Sequence, residues 1–123
     1  MVKPSALIKS FSHALRGVKT LIKTEQSFRL QLLAGLAAII LLFILPVNVF
    51  ETTIILLLIV LVLVLEMINS IFERLVDTFK PRIHPVVGEI KDIMAATVLA
   101  ASLFAAIIGV LIFFPHLIFL LFK

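Results

Sequence analysis

The chain contains no cysteine in its 123 residues. Disulfide frameworks, thiolate metal sites and cysteine nucleophiles are therefore excluded. Glycine is scarce, and Gly17, Gly35, Gly88 and Gly109 form neither a GxxxxGK[ST] phosphate loop nor a GxGxxG run. No internal repeat or low-complexity linker is visible. From Ile54 to Leu65 there is not one polar side chain. Between the first two apolar runs there is no Lys or Arg, and no small-residue cleavage site follows the first run, which starts near Leu30. That run lies too deep and extends too far to be a cleaved signal peptide.

What is present is apolar. Hydrophobic residues make up 63% of the chain, against about 45–50% in ordinary globular domains. The excess sits in runs long enough to span a bilayer, so residues 1–123 read as one small integral membrane domain with no room for a soluble one. The net charge of +4 does not point to nucleic acid, because the basic residues flank apolar spans instead of forming a patch.

In residues 5–24, Leu7, Phe11, Leu15, Val18 and Ile22 recur at helical spacing, with Lys9, Arg16 and Lys23 on the opposite side. A helix with one basic and one bulky apolar face lies in the membrane interface; the surface helix is assigned to 5–28. Glu25 and Arg29 follow four apart, the spacing of a local ion pair. Leu30 to Leu45 is apolar save for Gln31, and Pro46-Val47-Asn48 marks a turn; the first transmembrane helix is assigned to 30–48. The second rises near Glu51 or Thr52 and runs over 52–78. Lys80-Pro81-Arg82-Ile83-His84-Pro85 breaks it, since two prolines four apart cannot both lie inside a helix. His84 reads as a solvated loop histidine. Pro85 suits the first turn of a third long helix, assigned to 85–114 with a cytoplasmic extension. Pro115 is expected to end or kink that helix, leaving a short apolar tail with His116 at the interface. The fold class is all-α integral membrane: an amphipathic surface helix plus three transmembrane helices. Six basic residues precede the first span, and Arg74, Lys80, Arg82 and Lys91 follow the second. The asymmetry puts the amino terminus and residues 74–92 in the cytoplasm.

The second span carries the functional signal. Glu66, Asn69, Ser70, Glu73 and Asp77 fall on one narrow stripe of a helix, a polar seam on an apolar rod. A charge deep in a membrane helix costs roughly 2.5–3.5 kcal/mol on the lenient insertion scale, and carboxylates there mark functional sites. A proton, a basic side chain or a metal ion could compensate them. Hard divalent cations such as Mg²⁺ prefer carboxylate oxygens and bridge to phosphates. Glu73 and Asp77, nearer the water, are the metal candidates on chemical grounds; Glu66, the deepest, is placed as a general base for a lipid hydroxyl. On the residues alone, this is an acidic membrane site on the cytoplasmic side, open to catalysis, to proton or cation conduction, or to a scaffold in which the seam is subunit glue.

The pattern Glu66-x-x-Asn69-Ser70-x-x-Glu73-x-x-x-Asp77, with Glu25-x-x-Phe28-Arg29 before the first span and Lys91-Asp92 before an alanine-rich third span, resembles the prokaryotic diacylglycerol kinase family, which includes the undecaprenol kinases. The resemblance covers nearly the whole chain. It implies a multi-pass homotrimer of the bacterial plasma membrane, with active sites shared between subunits and facing the cytoplasm, that transfers the γ-phosphate of ATP, with Mg²⁺, to a membrane lipid alcohol, diacylglycerol or undecaprenol. By the same resemblance Glu66 is the catalytic base, and Glu25 and Glu73 are Mg²⁺ ligands. Asn69, Glu73, Asp77, Lys91, Asp92 and Glu25 surround the nucleotide. Ile71 stands where the family usually has alanine. His13 and Ala14 replace surface-helix residues that touch nucleotide in some members, and Glu89 stands where others carry a basic or neutral residue. The lack of tryptophan and the Ile83-His84-Pro85 loop lean toward the undecaprenol type.

Overall fold

The computed structural model describes residues 1–79 and 85–123. The helix break expected at Lys80–His84, and the assignment of His84 to a solvated loop, lie outside the described residues. Four helices make up the fold: α1 (Pro4–Thr24), α2 (Gln26–Ile44), α3 (Val49–Thr78) and α4 (Pro85–Leu121). There is no strand among the described residues. The last three helices are long and apolar enough to cross a membrane, and the chain is an all-α membrane protein. On α1 the apolar Leu7, Phe11 and Leu15 are exposed.

The α1–α2 junction differs from expectation. Helix α1 does not continue to residue 28, because Glu25 leaves helical geometry (φ −113°, ψ 107°) and α2 begins at Gln26. The expected Glu25–Arg29 ion pair is absent for the same reason: without a continuous helix the two side chains do not share a face. Arg29 instead donates to the carbonyls of Ile22 at 2.8 Å and Lys23 at 3.2 Å. These are acceptors that the end of α1 leaves unpaired, and a cation suits that end of a helix dipole.

Helix α2 ends at Ile44, short of residue 48, and α3 starts at Val49, earlier than the expected Glu51 or Thr52. The cause is a capping box. Glu51 N–H donates to Asn48 Oδ1 at 2.8 Å, and Asn48 N–H donates to Glu51 Oε1 at 3.3 Å. An Asn followed three residues later by Glu is a sequence signature of a helix start.

Helix α4 runs through Pro115 to Leu121, so the proline does not end it. Pro115 cannot donate to the carbonyl of Leu111, a loss that membrane helices tolerate where neighbouring groups re-satisfy the backbone. The next residue fastens the continuation to α3. His116 Nε2 lies 3.1 Å from each carboxylate oxygen of Glu51.

Helix α3 is the centre of the packing, with α2 and α4 against it and α1 against α2. Its buried residues, Ile55, Val62, Glu66, Ser70 and Val76, step by seven, four, four and six, and so share a face. At Gly35 a side chain of α3 packs against the α2 backbone: a methyl group there would sit 3.1 Å from Cγ2 of Ile59. Small residues permit this approach in membrane helices. Large apolar side chains such as Phe43, Leu57 and Leu111 remain exposed, a surface suited to lipid or to other chains.

Candidate active site

The apolar run of α3 continues without a break into the seam, which carries the polar side chains inward on the face that α3 turns to its neighbours. Glu66 is 6% exposed and Ser70 2%. Asn69 and Glu73 are half-buried, and Asp77, a turn further on, is exposed. Burial along the seam is deepest at Glu66 and Ser70 and is lost at Asp77. Glu66 interacts with the Gln31 side chain of α2, and the charges of Glu25 and Glu73 both act on it. Gln31 in turn donates from Nε2 to Ser102 Oγ on α4 at 2.7 Å. Polar groups from all three spans therefore meet around Glu66. Asn69 Nδ2 lies 3.5 Å from Glu73 Oε1, at the limit of a hydrogen bond.

The non-helical Glu25 is the reason a residue so far away in sequence reaches this seam. Freed from helical direction at the α1–α2 break, its carboxylate accepts from Ser70 Oγ at 3.0 Å. Arg74, one turn beyond Ser70, closes the cluster. Its Nη1 donates to Ser70 Oγ at 3.1 Å and its Nη2 to Thr24 Oγ1 at 2.9 Å. Nη2 also stands 3.6 Å from Glu25 Oε1. At the outer end of the seam, Lys91 Nζ of α4 donates to Asp77 Oδ1 at 2.7 Å. Both side chains are exposed enough that solvent screens the pair and it contributes little. Asp92 follows on the exposed surface of α4, as do His13 and Ala14 on α1.

The structure brings Glu25, Glu66, Asn69 and Glu73 into one group and pairs Asp77 with Lys91 beside it. Gln31, Ser102, Thr24 and Arg74 join them without having been expected there. Gln31 carries a signal, as the one polar residue within the apolar Leu30–Leu45 run. Arg74 carries one too: it falls i+4 from Ser70, within about 40° of the stripe on a helical projection. Its value as a topogenic charge masks that placement.

Among the described residues no three His, Asp or Glu side chains form a ready-made metal cluster. The metal-capable groups of the seam are oxygen donors, the carboxylates of Glu25, Glu66 and Glu73 and the amide oxygen of Asn69. That chemistry fits Mg²⁺, which takes one or two carboxylates and completes its shell with water and substrate phosphates. A cavity of about 510 Å³ opens beside the seam between α2, α3 and α4, lined by Gln31, Ala38, Val62, Ser102 and Gly109 among others. Its walls are almost wholly apolar.

The chain is similar to known proteins over most of its length. Residues 12–113 match the sequence profile described as prokaryotic diacylglycerol kinase. The chain is 37% identical over 109 residues to an undecaprenol kinase of Bacillus subtilis, covering 89% of each protein. It is 31% identical over 121 residues to a diacylglycerol kinase of Synechocystis, covering 98% of this chain and 69% of the relative. It is 27% identical over 110 residues to the diacylglycerol kinase of Escherichia coli K12, covering 89% of this chain and 90% of the relative.

Proposed function

This chain belongs to the prokaryotic diacylglycerol kinase family and is a membrane lipid kinase; on that footing we propose that it transfers the γ-phosphate of ATP to the hydroxyl of a membrane lipid alcohol, with Glu66 as the base. The observation that carries the reading is a buried acid, Glu66, on the same face of α3 as Glu73 and as Ser70, which holds Glu25, at the side of an apolar cavity. A lipid chain seated in that cavity would bring its head past Gln31 to Glu66. The hydroxyl proton passes to Glu66 as the oxygen bonds to the γ-phosphorus, and the bond from phosphorus to the leaving ADP oxygen breaks. Phosphoryl transfer depends mainly on positioning and charge stabilisation, so no covalent enzyme intermediate is required.

Glu25 and Glu73 would hold Mg²⁺, which when bound neutralises phosphate charge. Asn69, Asp77, Lys91 and Asp92 would take the nucleotide's side of the site. For Lys91 to meet a phosphate it must leave Asp77, and a weak, exposed ion pair allows that exchange. The acceptor is diacylglycerol or undecaprenol. The test is transfer of label from γ-labelled ATP to extracted lipid, run side by side with the two alcohols in the same detergent or vesicle preparation. Transfer to one of them is the expected result. A chain that conducts protons or cations, or only scaffolds, would label neither.

The working form in this reading is a homotrimer in the bacterial plasma membrane, with amino terminus and sites facing the cytoplasm. Ala95, Ala96 and Ala100 of α4 are exposed in the single chain and offer small side chains for close approach of a neighbour. Sites built between subunits have a direct consequence. Co-assembling a Glu66→Gln chain with a chain altered outside the Glu25–Glu66 group, as in Asp92→Asn, should regenerate some sites with neither lesion and recover part of the lost activity. Absence of recovery in oligomers shown to be mixed would place each site within one chain.

A further inference from the structure

Arg74 has no part in the transfer chemistry, yet it makes the most connected contact in the seam. Its guanidinium joins Thr24 at the end of α1, Glu25 in the break and Ser70 on α3. About half of its side chain remains exposed, so it stands at the mouth of the acidic group and not beneath it. Ser70 Oγ donates to the same Glu25 oxygen that Arg74 approaches. Glu25 is thus held by one neutral donor and one cation.

The geometry points to Arg74 as a positioning residue that keeps Glu25 at the seam in the nucleotide-free protein and exchanges Glu25 for a nucleotide phosphate when MgATP binds. This rests on the proposed kinase activity and on Glu25 as a metal-holding carboxylate. Two observations favour exchange over a fixed strut. The Arg74–Glu25 contact is long, at 3.6 Å, an attraction without a close hydrogen bond, and it is open to water, where such pairs are weak. A guanidinium also matches phosphate in shape and charge better than it matches a carboxylate already engaged by a hydroxyl, because its planar fork of donors can meet two phosphate oxygens at once. Meanwhile Ser70 can keep its bond to Glu25 as the guanidinium leaves.

A cation that competes with Mg²⁺ for Glu25 and then helps bind nucleotide gives substitutions effects of opposite sign. In Arg74→Gln, Mg²⁺ alone should bind the nucleotide-free protein about two- to fivefold more tightly, since an exposed competing ion pair has gone. The same variant should bind MgADP roughly 10- to 100-fold more weakly, the value of a hydrogen bond to a charged group. Its loss should fall on KM for ATP more than on kcat. Arg74→Lys, which keeps the charge without the fork, should recover Mg²⁺ competition fully and nucleotide affinity only in part.

The measurements are calorimetric titrations of Mg²⁺ alone and of MgADP into the full-length detergent-solubilised protein, with thermal melting in chelator as a check on folding. Weakening of both ligands together in Arg74→Gln would make Arg74 a structural strut and overturn the exchange. Unchanged affinities in a folded variant would overturn it equally. Wild-type protein that takes up no MgADP would overturn the kinase reading itself, which the Arg74 variants alone cannot do.

Discussion

Replacing Glu66 with glutamine should leave a protein that assembles and binds MgATP nearly as before, while turnover falls by roughly 10²–10⁴-fold, the usual contribution of a general base. Glutamine keeps the size of the side chain and can still face Gln31, but it cannot take a proton from the acceptor hydroxyl. The position suits the role. Glu66 is the most buried acid of the seam, and it stands at the junction between an unbroken apolar run and the polar seam. A lipid hydroxyl and a nucleotide can meet only at such a junction. The substitution also removes a charge from a poorly hydrated site, and no loss of fold stability is expected, since an amide is less costly there than a carboxylate. Turnover, nucleotide affinity and oligomeric state measured in one detergent preparation separate the outcomes. Wild-type turnover would remove Glu66 from the base role. Lost nucleotide binding would reassign it to holding metal or structure.

The parts of the site that are legible in sequence are those where membrane physics leaves few alternatives. Five polar residues on one face of an otherwise apolar helix cannot be accidental when each charge is expensive in lipid, so residue type and spacing suffice to reveal the seam. The three spans and the surface helix follow from run length and periodicity in the same way. What is not legible depends on one backbone break. Glu25 has helical spacing to Arg29 and no glycine or proline beside it, so a local pair is the natural expectation. The break instead turns Glu25 to Ser70 and leaves Arg29 to the carbonyls of α1. Tertiary contacts decide that, and no local pattern encodes them. Pro115 fails as a signal for a related reason: its residue-level rule holds in water, whereas a membrane helix held at His116 by Glu51 can carry one missing bond. Asn48 and Glu51, by contrast, do mark the start of α3 in sequence, and their capping spacing is a better guide there than the edge of the apolar run.

Chelating Mg²⁺ should abolish lipid phosphorylation, and Glu73→Gln should raise the Mg²⁺ concentration for half-maximal activity by roughly 10- to 100-fold while weakening nucleotide binding with it. The reason is electrostatic. Two like unit charges about 4 Å apart near a protein surface repel by about 4 kcal/mol. A triphosphate brought against Glu25, Glu66 and Glu73 without a divalent cation would meet several such repulsions; among the described residues, Lys91 and Arg74 stand beside the seam to offset them. Those two cations are already shared with Asp77 and Glu25. Asp77→Asn is the informative comparison, because it removes the same charge from the same helix. Asp77 is more exposed and paired with Lys91, so its loss should shift the Mg²⁺ requirement far less than loss of Glu73. A series of activity titrations against Mg²⁺ at fixed ATP, repeated for each variant, reads both effects. Full activity in excess chelator would sink the metal requirement. A large shift in Asp77→Asn with none in Glu73→Gln would move the metal outward, to the aqueous end of the seam, and leave Glu73 as a hydrogen-bond partner of Asn69 alone.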